Sequence, residues 1–154
     1  MIQKGRDKEF MKQDLSDILL KPLKAYFKKR DDAAFAFLFG SSVTGRVRSE
    51  GDVDIAVYFR PEHGVEWELS GKRWKAEARI ALDLERLLKK EIDLVVLNRA
   101  RATLADEIIR KGTPIIIKDT GLLLDFLCIV SDEAEYVREW MLDYYKEAQI
   151  AQGR

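Results

Sequence analysis

The stretch Phe39-Gly40-Ser41-Ser42-Val43-Thr44-Gly45-Arg46, followed four residues later by Gly51-Asp52-Val53-Asp54-Ile55, decides how this chain is read. Residues 33–39 form a short, aromatic-rich apolar run that predicts a buried strand ending at Gly40. Gly40 allows a sharp turn and, lacking a side chain, lets a ligand come close. Ser41 then opens a turn into a short helix, where free N–H groups and the helix dipole favour an anion such as phosphate. Its hydroxyl can donate one further hydrogen bond to a phosphate oxygen. Residues 53–59 predict a second strand, stopped by Pro61. Asp52 and Asp54 stand two apart at its start, so both carboxylates project from one face while Val53 points away. Two carboxylates so placed repel, and one tends to keep a proton. A divalent cation reverses that preference, and Mg²⁺ typically takes one or two carboxylates together with substrate phosphates and water.

Working outward, residues 92–97 predict a third strand, apolar except for Asp93. A charge inside such a strand is expected to be buried and to need a cation or hydrogen-bond donors. Beside the second strand, Asp93 completes a cluster of three carboxylates suited to two metal ions roughly 3.5–4 Å apart. The chemistry that fits is in-line attack on the α-phosphorus of a nucleoside triphosphate with loss of pyrophosphate. The remaining elements follow from periodicity. Leu15, Ile18, Leu19, Leu23, Tyr26 and Phe27 give an amphipathic opening helix that Pro22 kinks or restarts. Residues 66–90 turn helical, with Trp74, Ala78, Ala81, Leu84 and Leu88 on one face and Gly71 blurring the start. Residues 102–111 predict a helix capped by Gly112, residues 114–118 a fourth strand, and residues 122–149 a last helix. Strands alternating with helices define an α/β (α+β) fold with a mixed sheet of about four strands flanked by helices. Without linker or repeat, residues 1–154 are expected to form one domain, with 122–150 a C-terminal helical extension.

Composition narrows the partners. The 154 residues carry 27 Lys and Arg against 27 Asp and Glu, so no global field draws in DNA, and direct DNA binding is not expected. The single cysteine, Cys128, forms no internal disulfide and is expected in the core. The chain begins without a signal-peptide pattern. Its longest apolar stretch, residues 122–130, is broken by Asp125 and too short to span a bilayer. A cytoplasmic protein without a membrane association is the expectation.

Gly-Ser, ten residues, then Asp-any-Asp resembles the signature of the DNA polymerase β-like nucleotidyltransferases, with Asp93 where their third strand carries the last carboxylate. The small size, the Phe-Gly-Ser opening and the Ile-Asp-Leu-Val-Val-Leu-Asn strand look like the minimal nucleotidyltransferases, in particular the MntA-type antitoxins that pair with HEPN-domain ribonuclease toxins. The likeness covers residues 33–118. It implies that Gly40 and Ser41 hold the β- and γ-phosphates, that Asp52 and Asp54 bind two Mg²⁺ ions, and that Asp93 binds the metal nearest the nucleophile. It implies ATP as co-substrate and AMP transfer to a tyrosine hydroxyl of a partner HEPN toxin. Ser-Glu-Gly before Asp52 departs mildly from relatives and touches the turn, not the ligands. The rival readings are nucleotidylation of a small hydroxyl compound, as in aminoglycoside-modifying enzymes, and an antitoxin that works by binding alone.

Weaker signals flank this core. Arg46 and Arg48 border the phosphate loop and either neutralise the triphosphate or contact the acceptor, or else lie solvated on the surface; Arg99 and Arg101 are equally open. His63, the one histidine, sits in a polar turn and excludes a histidine-based zinc site. Lys21, Lys24, Lys28, Lys29 and Arg30 read as the wet face of the opening helix. Val137, Trp140, Met141, Tyr144, Tyr145 and Ala148 form an aromatic stripe beyond the expected core, a candidate partner surface. No segment identifies a pocket for the base.

Overall fold

In the computed structural model, residues 17–40, 51–67 and 73–153 are described. Two strands form its centre, β1 (Ala33–Phe39) and β2 (Val53–Phe59), both apolar along nearly their whole length because both of their faces are covered. They pair antiparallel. On the far side of β1 lies antiparallel β4 (Thr113–Ile117); on the far side of β2 lies parallel β3 (Ile92–Val96), giving the order β3-β2-β1-β4. This is the mixed four-stranded sheet expected.

Two apolar layers sandwich the sheet. On one face, Leu19, Leu23 and Phe27 of α1 (residues 17–28) and Ile80 and Leu84 of α2 (Glu77–Leu88) meet Ala36, Leu38, Val53, Ile55 and Val57. The α1 residues recur every four positions, the spacing of a single helical face. That helix continues through Pro22. On the other face, Ala105 and Ile108 of α3 (Ala102–Lys111) and Leu123, Phe126 and Val130 of α4 (Thr120–Gln152) cover Phe35, Phe37, Ala56 and Tyr58. Phe35 stacks on Tyr58 with ring centroids 4.6 Å apart, and Phe126 closes over both. Asn98, buried in a 3-10 turn (Leu97–Arg99), accepts from the Phe59 N–H and donates to the Phe59 carbonyl, both at 2.9 Å, fastening the end of β3 to the end of β2.

Three expectations are corrected. The helix placed over residues 66–90 begins only at Glu77; Trp74 instead stacks on Phe59 ahead of it, and the Glu77 carboxylate accepts from the Trp74 N–H at the helix start. Residues 68–72, including Gly71, lie outside the described residues. Cys128 is exposed, because α4 buries the face of Leu123, Phe126, Val130 and Ala134 and turns position 128 away. Asp93 is exposed too: β3 is an edge strand, covered less than β1 and β2, so the premise of a buried charge fails there.

Candidate active site

Three elements bring the acidic residues together. Along β2, Val53, Ile55 and Val57 point into the α1/α2 layer while Ala56 and Tyr58 point into the other, which puts Asp54 on the α3/α4 side. Parallel pairing places Asp54 level with Asp93, and antiparallel pairing places it level with Phe39, the last residue of β1. Residues level in a register share a face, so Asp54 and Asp93 stand side by side across neighbouring strands. Asp52, two residues before Asp54, lies exposed just ahead of β2.

Gly40 closes the third side. Its φ of 72° lies in the left-handed region, and a Cβ built on it would fall 2.1 Å from Oδ2 of Asp54. The glycine is therefore required twice, by the turn and by the carboxylate that fills the place of its side chain. The sequence suggests room for a ligand at Gly40; in the structure that room holds Asp54.

The electrostatics are those of crowded acids. Burial, then the charge of Asp93, then that of Asp52 and a hydrogen bond with Asp93 raise the Asp54 pKa above the ordinary carboxylate value. Among the described residues, no three carboxylate, thiol or imidazole groups form a closed metal-binding group. Asp54 is nonetheless crowded by acids, level with Asp93 on the neighbouring strand and two residues from Asp52. A divalent cation among these oxygens would relieve it, and an all-oxygen donor set suits Mg²⁺.

Ser41, Arg46 and Arg48 lie outside the described residues. Arg99 is engaged by Glu77 on α2, with Nη2 at 2.6 Å from Oε2, and Arg101 is exposed at the start of α3. His63 is exposed, as are Lys21, Lys24, Lys28 and Lys29, whereas Arg30 pairs with Asp32 at 2.6 Å. In the second half of α4, Tyr136, Trp140, Met141, Tyr144 and Tyr145 are all exposed, and Trp140 stacks on Tyr144 with centroids 5.9 Å apart. The described residues contain no helix long and apolar enough to cross a membrane.

Two features escaped the sequence reading. Asp106 on α3 is buried and accepts from Arg110 at 2.7 Å and from Arg138 of α4 at 3.0 Å, tying the two helices together. The only sequence signal for it was an acid-to-arginine spacing of four along α3. The second is an apolar cleft beside Gly40, lined from β1 and α3; its walls are far apart in sequence and no local pattern announces it.

A mixed sheet that sets acidic residues of adjacent strands beside a glycine turn is the frame of a nucleotidyltransferase. Residues 21–121 match the family Polymerase beta, Nucleotidyltransferase, and the chain belongs to that family. Solved structures agree in fold. A toxin–antitoxin with AMP-PNP is 20% identical, with 84% of this chain and 98% of the other covered at a TM-score of 0.62. The toxin–antitoxin MntA-HepT is 17% identical (89% and 98% covered, TM-score 0.56). A tri-AMPylated Shewanella oneidensis HEPN toxin in complex with MNT antitoxin gives 17% identity (90% and 98% covered, TM-score 0.57). No curated protein matches the sequence.

Proposed function

We propose that this nucleotidyltransferase is the antitoxin of a toxin–antitoxin pair, transferring AMP from ATP to a tyrosine hydroxyl of a HEPN ribonuclease. The observation that carries the reading is the level placement of Asp54 and Asp93 beside Gly40, in a member of this family. Support for the acceptor comes from the fold neighbours, one of which is an antitoxin bound to an AMPylated HEPN toxin.

In this reading Asp52, Asp54 and Asp93 would hold two Mg²⁺ ions, whose charge would neutralise the triphosphate and polarise its α-phosphorus. Gly40 and Ser41 hold the β- and γ-phosphates, with Arg46 adding charge. Asp93, exposed on the edge strand, takes the proton of the tyrosine hydroxyl in this reading. The tyrosine oxygen bonds to the α-phosphorus, the bond to the bridging oxygen breaks, and pyrophosphate leaves with that electron pair. The aromatic stripe of α4 supplies a second contact for the toxin, since exposed tryptophan and tyrosine are strong interface anchors. The test is the mass of the toxin after incubation with ATP, Mg²⁺ and this protein: a gain of one or more AMP units supports the reading. Neutralisation with unchanged mass favours a binding-only antitoxin.

A further inference from the structure

We propose that the cleft beside Gly40 holds the base of the nucleoside triphosphate, an inference that rests on the nucleotidyltransferase reading of the carboxylates and extends it. The cleft is about 250 Å³, lined by Phe39, Gly40, Leu104, Ile108, Lys111 and Glu107. Small-molecule sites are concave and mostly apolar, with a few polar groups at the edge. Here the walls are Phe39, Leu104 and Ile108, and the polar edge is the Lys111–Glu107 pair at 3.4 Å, an acid and a base able to meet the heteroatoms of a ring.

Position selects this cleft among the cavities of the described residues. It opens on Gly40, whose neighbour is Asp54, and Phe39 stands level with Asp54 on the same sheet face. The large cleft between α3 and α4 is lined by helix residues alone and reaches neither Gly40 nor the strands that carry Asp54 and Asp93. The cleft at Trp74 and Leu94 belongs to the α1/α2 side, the opposite face from Asp54. A protein acceptor brings its own walls to the open edge at Asp93; a mononucleotide needs walls from this chain, and this cleft is where the chain supplies them beside the carboxylates.

The experiment compares ATP with inorganic triphosphate, which shares the phosphates and lacks the nucleoside, by calorimetric titration with Mg²⁺ present. Leu104 is 38% exposed, so Leu104→Trp fills the cleft without entering the core. Wild type is expected to bind ATP more tightly than triphosphate. Leu104→Trp is expected to weaken ATP about tenfold, a loss of ~1.4 kcal/mol, and to leave triphosphate unchanged. Leu104→Ala, which removes a wall, is expected to act in the same direction more weakly. Equal wild-type affinities for the two ligands, or ATP binding indifferent to both variants, would overturn the cleft assignment while leaving transfer at the carboxylates intact. If wild type bound neither ligand, the nucleotidyltransferase reading itself would fall.

Discussion

At the residue scale, two aspartates on the same side of the sheet have their pKa values shifted in opposite directions. Asp54 has its pKa raised by burial and by Asp93 and Asp52. For a carboxyl whose folded pKa exceeds its unfolded one, the stabilisation is complete below the unfolded pKa and is lost as pH rises through the folded value. Metal-free protein therefore loses stability through Asp54 as pH climbs out of the acid range. Asp54→Asn is expected to remove that loss, melting at least as high as wild type at neutral pH without metal but gaining less from Mg²⁺-ATP. A melting series with and without Mg²⁺-ATP checks it; a clearly less stable metal-free variant would mark Asp54 as structural. Asp106 behaves inversely. Burial pushes its carboxyl up, but hydrogen bonds from Arg110 and Arg138 outweigh this and hold it below the ordinary value. Its contribution is present above the unfolded pKa and lost as pH falls through the folded one, so Asp106→Ala should be most damaging at neutral pH, by about 2 kcal/mol in denaturant titration. Gly40→Ala combines a left-handed backbone with a Cβ in the place of the Asp54 carboxylate. Backbone strain alone costs about 1–2 kcal/mol, and displacement of Asp54 adds a loss of transfer. A Gly40→Ala enzyme with normal turnover would show that Asp54 is free to move.

At the scale of elements, α4 does two different things along its 33 residues. Its first half buries Leu123, Phe126, Val130 and Ala134 against the sheet, and the Asp106–Arg138 pair fixes it to α3. Its second half leaves Trp140 at 62% and Tyr144 at 58% exposure. Removing both with alanine is therefore expected to leave the melting temperature unchanged while weakening toxin binding by on the order of 2 kcal/mol or more. A pull-down beside a nucleotide titration on the same double variant separates the possibilities. Collapse of both signals would make the stripe part of the core, and unchanged capture would move the interface to the active-site mouth.

At the scale of the molecule, the sequence carried the sheet well for a physical reason. The runs at 33–39 and 53–59 are apolar along nearly their whole length, as strands covered on both faces are, and are long enough to be recognised without tertiary information. The glycine at position 40 and the aspartate pair were readable because turn chemistry and two-residue alternation are local. Edge position is not local: nothing near Asp93 distinguishes an outer strand from an inner one, so its exposure is not legible in the sequence. The exposure of Cys128 is hidden for the same reason, since which face of a long helix meets the sheet depends on distant residues. Trp74 misled the helix start because its contact, Phe59, lies across a chain turn rather than along a helix. The cleft at Leu104 and the tie at Asp106 join separate elements and became visible only on folding.

Intact-mass measurement of the HEPN toxin is the direct test of a transfer carried by Asp52, Asp54 and Asp93, at the start of β2 and on β3. Wild-type protein with ATP and Mg²⁺ is expected to add AMP to a tyrosine of the HEPN toxin and silence its RNA cleavage. Asp52→Asn and Asp54→Asn, folded normally, are expected to lose at least 10²–10³ of that rate, on the order of what a missing charge-stabilising contact costs. Near-normal transfer by either variant, or a silenced toxin of unchanged mass, would contradict the account.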